Sequence, residues 1–253
     1  MRPIALFSIS LFLLLSSFCW GKMSNNKEND NKHKYKHKIS KIAEASGVSY
    51  CEDTNTYMVA NDEGSFYEIS GEGKTIARHK LGDYDLEGVV CQEKKLIFAI
   101  EEGALLVVNR ETLQTKYLKI KGKEFKPNKK SGIEGIAKVG ELYYLAIQAR
   151  KKKDAKILIV KITNNHAKIV DTIKHDIIDT SGMDYHDDKL YIISDKNDKL
   201  YIYNLKKNKM KKKSYNLPKF AQEGIAFDNN GSLLLADDDG AVFKYTKKEL
   251  KLK

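Results

Sequence analysis

Apolar residues in this chain come as short continuous runs divided by polar turns, not at the spacing of a helical face. The strongest are Tyr57–Ala60, Leu96–Ile100, Leu142–Ile147, Leu190–Ile193 and Leu233–Ala236. Runs this short, rich in β-branched and aromatic residues, predict strands buried on both faces. A further apolar run follows each of them: Ser65–Ile69, Leu105–Val108, Ile157–Val160, Leu200–Tyr203 and Val242–Tyr245. More polar runs come next, such as Thr75–Lys80, Thr115–Ile120 and Ala167–Ile173, as expected of outer strands that face water. The last group has only Glu249–Leu252 for that role, so Ile39–Ala45 is expected to supply or complete its outer strand.

A short phrase precedes each group. It reads Ser46-Gly47-Val48, Glu87-Gly88-Val89, Glu134-Gly135-Ile136, Ser181-Gly182-Met183 and Glu223-Gly224-Ile225. Its glycines are 41, 47, 47 and 42 residues apart. A four-stranded propeller blade repeats at about 40–50 residues. The pattern predicts an all-β fold: a five-bladed β-propeller of four-stranded antiparallel blades, closed by N- and C-terminal strands. Each phrase forms an innermost strand, with glycine where backbones crowd the axis.

The propeller is expected over residues 39–253. Residues 1–21 read as a signal peptide: Arg2 precedes the apolar Ile4–Phe18, and Cys19-Trp20-Gly21 offers small residues for cleavage. An acylated Cys19 or an uncleaved anchor are the alternatives, and all three imply an exported, periplasmic or envelope-associated protein. Residues 22–38 read as a flexible basic linker, in which His33 and His37 are solvated tail residues. Cys51 lies four residues after its glycine and Cys91 three after its own. Alternation along a strand then points them differently, and two free thiols are expected.

In an up-and-down blade the first strand begins where the second ends. Glu87, Glu134 and Glu223 open first strands; Glu101, Gln148, Asp195 and Asp237 stand thirteen residues after their glycines, and Asp62 is the counterpart in the first group. The acids are therefore expected to ring one mouth of the channel. Carboxylates so close oppose one another's ionisation unless a cation joins them. Calcium, which accepts six to eight oxygen ligands in irregular geometry, suits such a ring best. Asp, Asn and Gly after strands are also common turn formers, which is the plainer reading of the second-strand positions.

The ordered phrases Ser46–Tyr50, Asn61–Gly64, Asp85–Gly88, Gly132–Gly135, Thr180–Tyr185 and Ala221–Asp228 resemble the SdiA-regulated (YjiK-like) family over roughly residues 40–246. The resemblance implies an exported or membrane-anchored five-bladed propeller, related to NHL-type repeats, with bound calcium. Gln148 departs from the acidic pattern of the ring.

The formal net charge is +11, with lysines and arginines concentrated at 126–130, 150–153, 206–213 and 247–253. Topology places the first two runs on the acidic-mouth face and 206–213 on the opposite one. Lys151, Lys152 and Lys153, with Gln148, are candidates for the rim of a ligand site; lysines that merely protect strand edges are the alternative. Nucleic acid is not expected, since no basic groove with interleaved aromatics is present. The chain lacks a Gly-x-Ser-x-Gly elbow, a His-Glu-x-x-His helix, a phosphate-binding glycine loop and a Cys-x-x-Cys pair. The expected function is a monomeric calcium-binding envelope propeller, taking an anionic ligand or a protein partner at its acidic mouth. The alternative is a calcium-dependent hydrolase of phosphoesters or lactones, with the three lysines clamping the anion.

Overall fold

The computed structural model describes residues 36–126 and 132–252. The expected signal peptide, most of the linker and the lysines near 127–130 lie outside the described residues; His37, expected as a solvated tail residue, is instead buried at 6% exposure. From Lys38 onward regular structure is strand, apart from two short 3-10 turns. After β1 (Lys38–Ser40), the first antiparallel group is β2 (Ala45–Cys51), β3 (Thr56–Asn61), β4 (Ser65–Ile69) and β5 (Thr75–Lys80). The second is β6 (Leu86–Gln92), β7 (Lys95–Ile100), β8 (Ala104–Asn109) and β9 (Thr115–Lys121). The third is β10 (Ile133–Val139), β11 (Leu142–Ile147), β12 (Lys156–Ile162) and β13 (Ala167–Lys174). Two residue pairs between β13 and β9 join the second and third groups into one eight-stranded sheet.

In the fourth group, β14 (Thr180–His186), β15 (Lys189–Ser194) and β16 (Lys199–Asn204) are followed by an interrupted outer strand, β17 (Lys209–Met210) and β18 (Tyr215–Asn216). The fifth is β19 (Gln222–Phe227), β20 (Ser232–Asp237) and β21 (Ala241–Thr246). Its fourth strand is β1, with Lys38 opposite Phe243 and Ser40 opposite Val242. The N-terminal segment therefore does complete this sheet, through residues 38–40. Glu249–Leu252, expected as an outer strand, instead belongs to a turn in which the Leu252 N–H donates to Lys247 O (2.8 Å). Leu250 is buried there against the fifth group, so burying that leucine replaces strand pairing.

Among the described residues the core falls into five clusters, each between successive groups. The continuous apolar runs explain this, because alternate residues of one strand enter different clusters. Leu96 and Phe98 pack with Met58 and Phe66, whereas Ile97 and Ala99 pack with Leu145 and Ile147. Leu233 and Leu235 likewise face Tyr191, while Leu234 and Ala236 face Val48. Each fully buried side chain contributes about 1.5–3 kcal/mol. The fold is all-β and propeller-like, with apolar seams between its sheets.

The innermost strands meet in a closed series. A Cβ on Gly47 would stand 2.5 Å from Glu87 O, on Gly88 2.7 Å from Ile136 N, and on Gly135 2.8 Å from Met183 N. On Gly182 it would stand 2.7 Å from Glu223 O, and on Gly224 2.8 Å from the Cα of Gly47, back at the start. No side chain fits at such approaches, which explains the recurring glycine.

Cys51 and Cys91 form a disulfide, with Cα atoms 5.3 Å apart, so the expectation of free thiols is corrected. Alternation was the right observation applied to the wrong geometry. The inner strands β2 and β6 lie in different sheets that pack face to face, and the front of one meets the back of the other. Val89 and Cys91, at odd offsets from Gly88, face the first group; Val90, at an even offset, faces the third. Cys51, at an even offset from Gly47, faces forward into the second group. Opposite parity is what brings the two sulfurs together.

Candidate functional site

The site begins with an irregularity shared by all five inner hairpins. Ile133 pairs with Ile147 and Gly135 with Ala146, leaving Glu134 as the extra residue of a β-bulge. Glu223 is extra between Gln222 and Gly224, Ser46 between Ala45 and Gly47, and Ser181 between Thr180 and Gly182. The ladder of β6 and β7 shifts between Leu86 and Val89, around Glu87. A bulge re-aims the side chain that it leaves unpaired. The two serines use this to tie neighbouring groups: Ser46 Oγ donates to Leu86 O and Ser181 Oγ to Gln222 O, both at 2.5 Å. Each acceptor immediately precedes a glutamate, so each serine buttresses the strand that carries Glu87 or Glu223.

Glu87 and Glu134 are buried, at 7% and 6% exposure, and Glu223 is half-buried. Burial raises the Glu87 carboxyl well above the ordinary glutamate range, and the charges of Glu134, Asp62, Asp85 and Glu223 add to the rise. Burial, then Glu101, Asp85, Asp62 and Asp179, push Glu134 up to about 8. Burial, then Glu134, Asp195, Asp238 and Asp179, push Glu223 up to about 9. Burial raises Asp62 to about 7 against the lowering effect of a hydrogen bond with Ser46, and Asp85, Asp238 and Glu44 add to the rise. Glu101 and Asp195 are raised as well, burial again leading. The strongest charges acting on this group are thus other carboxylates.

Carboxylate oxygens of Asp62, Asp85 and Glu87 lie within 4.8 Å of one another. The Oδ1 atom of Asp62 is buried with no hydrogen-bond partner. A concentration of hard oxygen donors at one point, one of them unsatisfied, fits a divalent cation of the calcium type.

A model of the SdiA-regulated family matches residues 25–244. The chain belongs to the SdiA-regulated family. No curated protein matches it in sequence. Among solved structures it is similar to the glutaminyl cyclase of Myxococcus xanthus, with a TM-score of 0.64 and 10% identity over 82% of this chain and 92% of that one. At that identity the likeness concerns the fold alone.

In this SdiA-regulated chain, register identifies the ring positions more surely than counting. The residue after the partner of the pre-bulge position is Asp62, Glu101, Gln148, Asp195 and Asp238 in turn. In four of the five its backbone N–H donates to the carbonyl two residues before the bulge: Asp62 to Glu44, Glu101 to Asp85, Gln148 to Gly132, and Asp238 to Ala221. Asp238 therefore takes the place expected for Asp237. The fifth hairpin is one residue longer, and Asp237 is fully buried, its charge acting on Tyr245. Asp195 accepts the Gln222 N–H (3.1 Å), beside the root of Glu223.

Asp85, Asp179 and Asp238 act on the site without having been anticipated. A signal for the first two was present: Glu44, Asp85 and Asp179 each stand two residues before the Glu or Ser of a phrase. The rim lysines are placed differently from expectation. Lys152 and Lys153 lie in a 3-10 turn and line a cleft together with Lys209, Lys211 and Lys212. Lys206 pairs with Asp188 in the β14–β15 turn, on the face away from the mouth as expected, but Lys209, Lys211 and Lys212 line the same cleft as Lys152 and Lys153. Between β17, which pairs near Tyr203, and β18, which pairs near Lys199, the chain climbs along β16 instead of staying at one end. Lys151 is exposed beside the 3-10 turn, and Gln148 is half-buried.

Proposed function

We propose that this protein is an exported five-bladed β-propeller whose acidic mouth holds a calcium ion and, with it, a ligand or protein partner. The observation that carries the metal is the convergence of Asp62, Asp85 and Glu87 oxygens within 4.8 Å, Asp62 Oδ1 being buried and unpartnered. The charges of Glu134 and Glu223 act on Glu87, that of Glu101 acts on Glu134, and those of Asp195 and Asp238 act on Glu223. A bound cation would supply the positive charge that these buried carboxylates otherwise lack, converting mutual repulsion into cross-sheet attachment.

The five-bladed reading is supported by the glycine series that returns to its start and by the five apolar seams. Export is supported by the Cys51–Cys91 disulfide, a bond typical of oxidising compartments. The non-catalytic reading is preferred over hydrolysis because Lys152 and Lys153, the expected anion clamp, line a separate cleft.

Calorimetric titration of EDTA-stripped protein with calcium tests the proposal. Saturable binding, with loss of at least tenfold in affinity in Asp62→Asn and in Glu87→Gln, is expected. Absence of binding heat, together with a melting temperature indifferent to calcium, would overturn it.

A further inference from the structure

A second site lies between the third and fourth groups, apart from the acidic mouth. There a cleft of about 1050 Å³ opens beside the interrupted outer strand of β17 and β18. Its rim carries Lys152, Lys153, Lys174, Lys209, Lys211 and Lys212 against two acids, Asp171 and Asp176. Among the described residues none of these six lysines is ion-paired, although both acids share the cleft. Six lysines against two acids leave the cleft a formal excess of four positive charges, which attracts anions.

Part of the interior is apolar and aromatic. The half-buried rings and chains of Tyr201, Ile173 and Met210 line it, packed on the cluster that contains Tyr203 and Ile177. Behind its wall, Nε2 of His175 and Oγ1 of Thr172 are buried beneath the lining and closed to solvent. The cleft therefore offers cations at the rim and a ring face within.

We propose that this cleft binds an anionic glycan, a sugar chain bearing carboxylates. The C–H face of a pyranose packs on a tyrosine ring, its hydroxyls meet the Asn197 and Asn208 side chains that also line the cleft, and its carboxylates meet the lysines. An acidic peptide fits less well, because strand addition along β16 is blocked. The outer edge of β16 is taken by β17 at Tyr203 and Asn204, by the Lys211 N–H on Ile202 O (2.8 Å), and by β18 at Lys199 and Leu200.

The test uses the full chain in EDTA, so that calcium at the mouth plays no part and failure of the metal proposal stays separate. Hexagalacturonate is titrated calorimetrically beside its neutral methyl ester, a hexaglutamate peptide and phosphatidylglycerol vesicles. Binding of hexagalacturonate is expected, weakened at least tenfold by Lys209→Glu with Lys212→Glu and at least fivefold by Tyr201→Ala. Both variants should melt as the parent does; if Tyr201→Ala does not, Tyr201→Phe, which keeps the ring, must retain binding. No hexagalacturonate binding, equal binding of hexaglutamate or of vesicles, or affinity unmoved by the lysine reversals would each overturn the proposal.

Discussion

Tyr57 donates its hydroxyl to Asp228 (2.9 Å) across the junction where the fifth group meets the first. Lys244 joins them, 3.2 Å from the same carboxylate and 2.8 Å from the tyrosine oxygen. Asp228 is 1% exposed, and its other oxygen accepts the Asn230 and Ser232 N–H groups at 3.0 and 2.7 Å. Burial alone would raise its carboxyl; the Ser232 N–H, the Tyr57 hydroxyl and Lys244 outweigh burial and hold it below the ordinary aspartate range.

Removing Asp228 strands a partly buried ammonium and three hydrogen-bond donors. Asp228→Ala is expected to cost about 3–5 kcal/mol in urea unfolding, and Tyr57→Phe about 1.5–3 kcal/mol. A depressed folded value means that the stability is present above the unfolded aspartate range and is lost as pH falls through the folded one. The parent should therefore lose stability below about pH 4 more steeply than Asp228→Asn. Parallel acid profiles would contradict the assignment.

The Cys51–Cys91 bond makes a second junction, closing a loop of 40 residues between the first two groups. Chain entropy for a loop of this size corresponds to about 3–4 kcal/mol. For a domain of this length that is about 10 °C in melting temperature, the expected loss in a Cys51→Ala, Cys91→Ala double variant. Reduction of the parent by dithiothreitol should reproduce the shift, and a loss under about 2 °C would mean that the bond constrains little.

The strands were legible because burial on both faces leaves unbroken apolar runs, and the repeated glycine betrayed a crowded axis. Glu87, Glu134 and Glu223 were legible for the same reason, being fixed to that glycine by one residue. The bulges were not, since an extra residue leaves no mark in composition. Asp238 was missed because hairpin length varies between groups, so a count from Gly224 reached Asp237, which points into the core. The disulfide was misjudged because parity within one sheet does not describe contact between two. The shared lysine cleft depends on where an interrupted outer strand runs, and Lys206–Lys213 carries no apolar pattern that could show it.

The acidic mouth has its own pH signature in metal-free protein. Glu134 and Glu223 are pushed up to about 8 and about 9, each first by burial and then by neighbouring carboxylates. Folded values above the unfolded glutamate range mean that the native state binds protons the unfolded state has released. Stability in EDTA should therefore be highest near pH 5 and fall continuously toward pH 9. Calcium in excess should flatten that slope, since ligand binding to the native state alone adds stability. Urea midpoints at pH 5, 7 and 9, with and without calcium, make the check; a flat profile in EDTA would contradict the buried, mutually repelling placement of these groups.

Substituting Glu134 separates charge from shape. Glutamine keeps the volume and one acceptor oxygen but removes a buried negative charge from beside Glu87 and Glu223, both of which feel it. In EDTA at pH 8, Glu134→Gln should therefore be as stable as the parent or more so, by about 1 kcal/mol. In calcium the order should invert, because the cation then sits among fewer anionic ligands and binds more weakly. A structural glutamate would move stability in the same direction in both buffers. Opposite signs in EDTA and in calcium are what a metal-facing carboxylate requires, and paired urea titrations of the two proteins would display them.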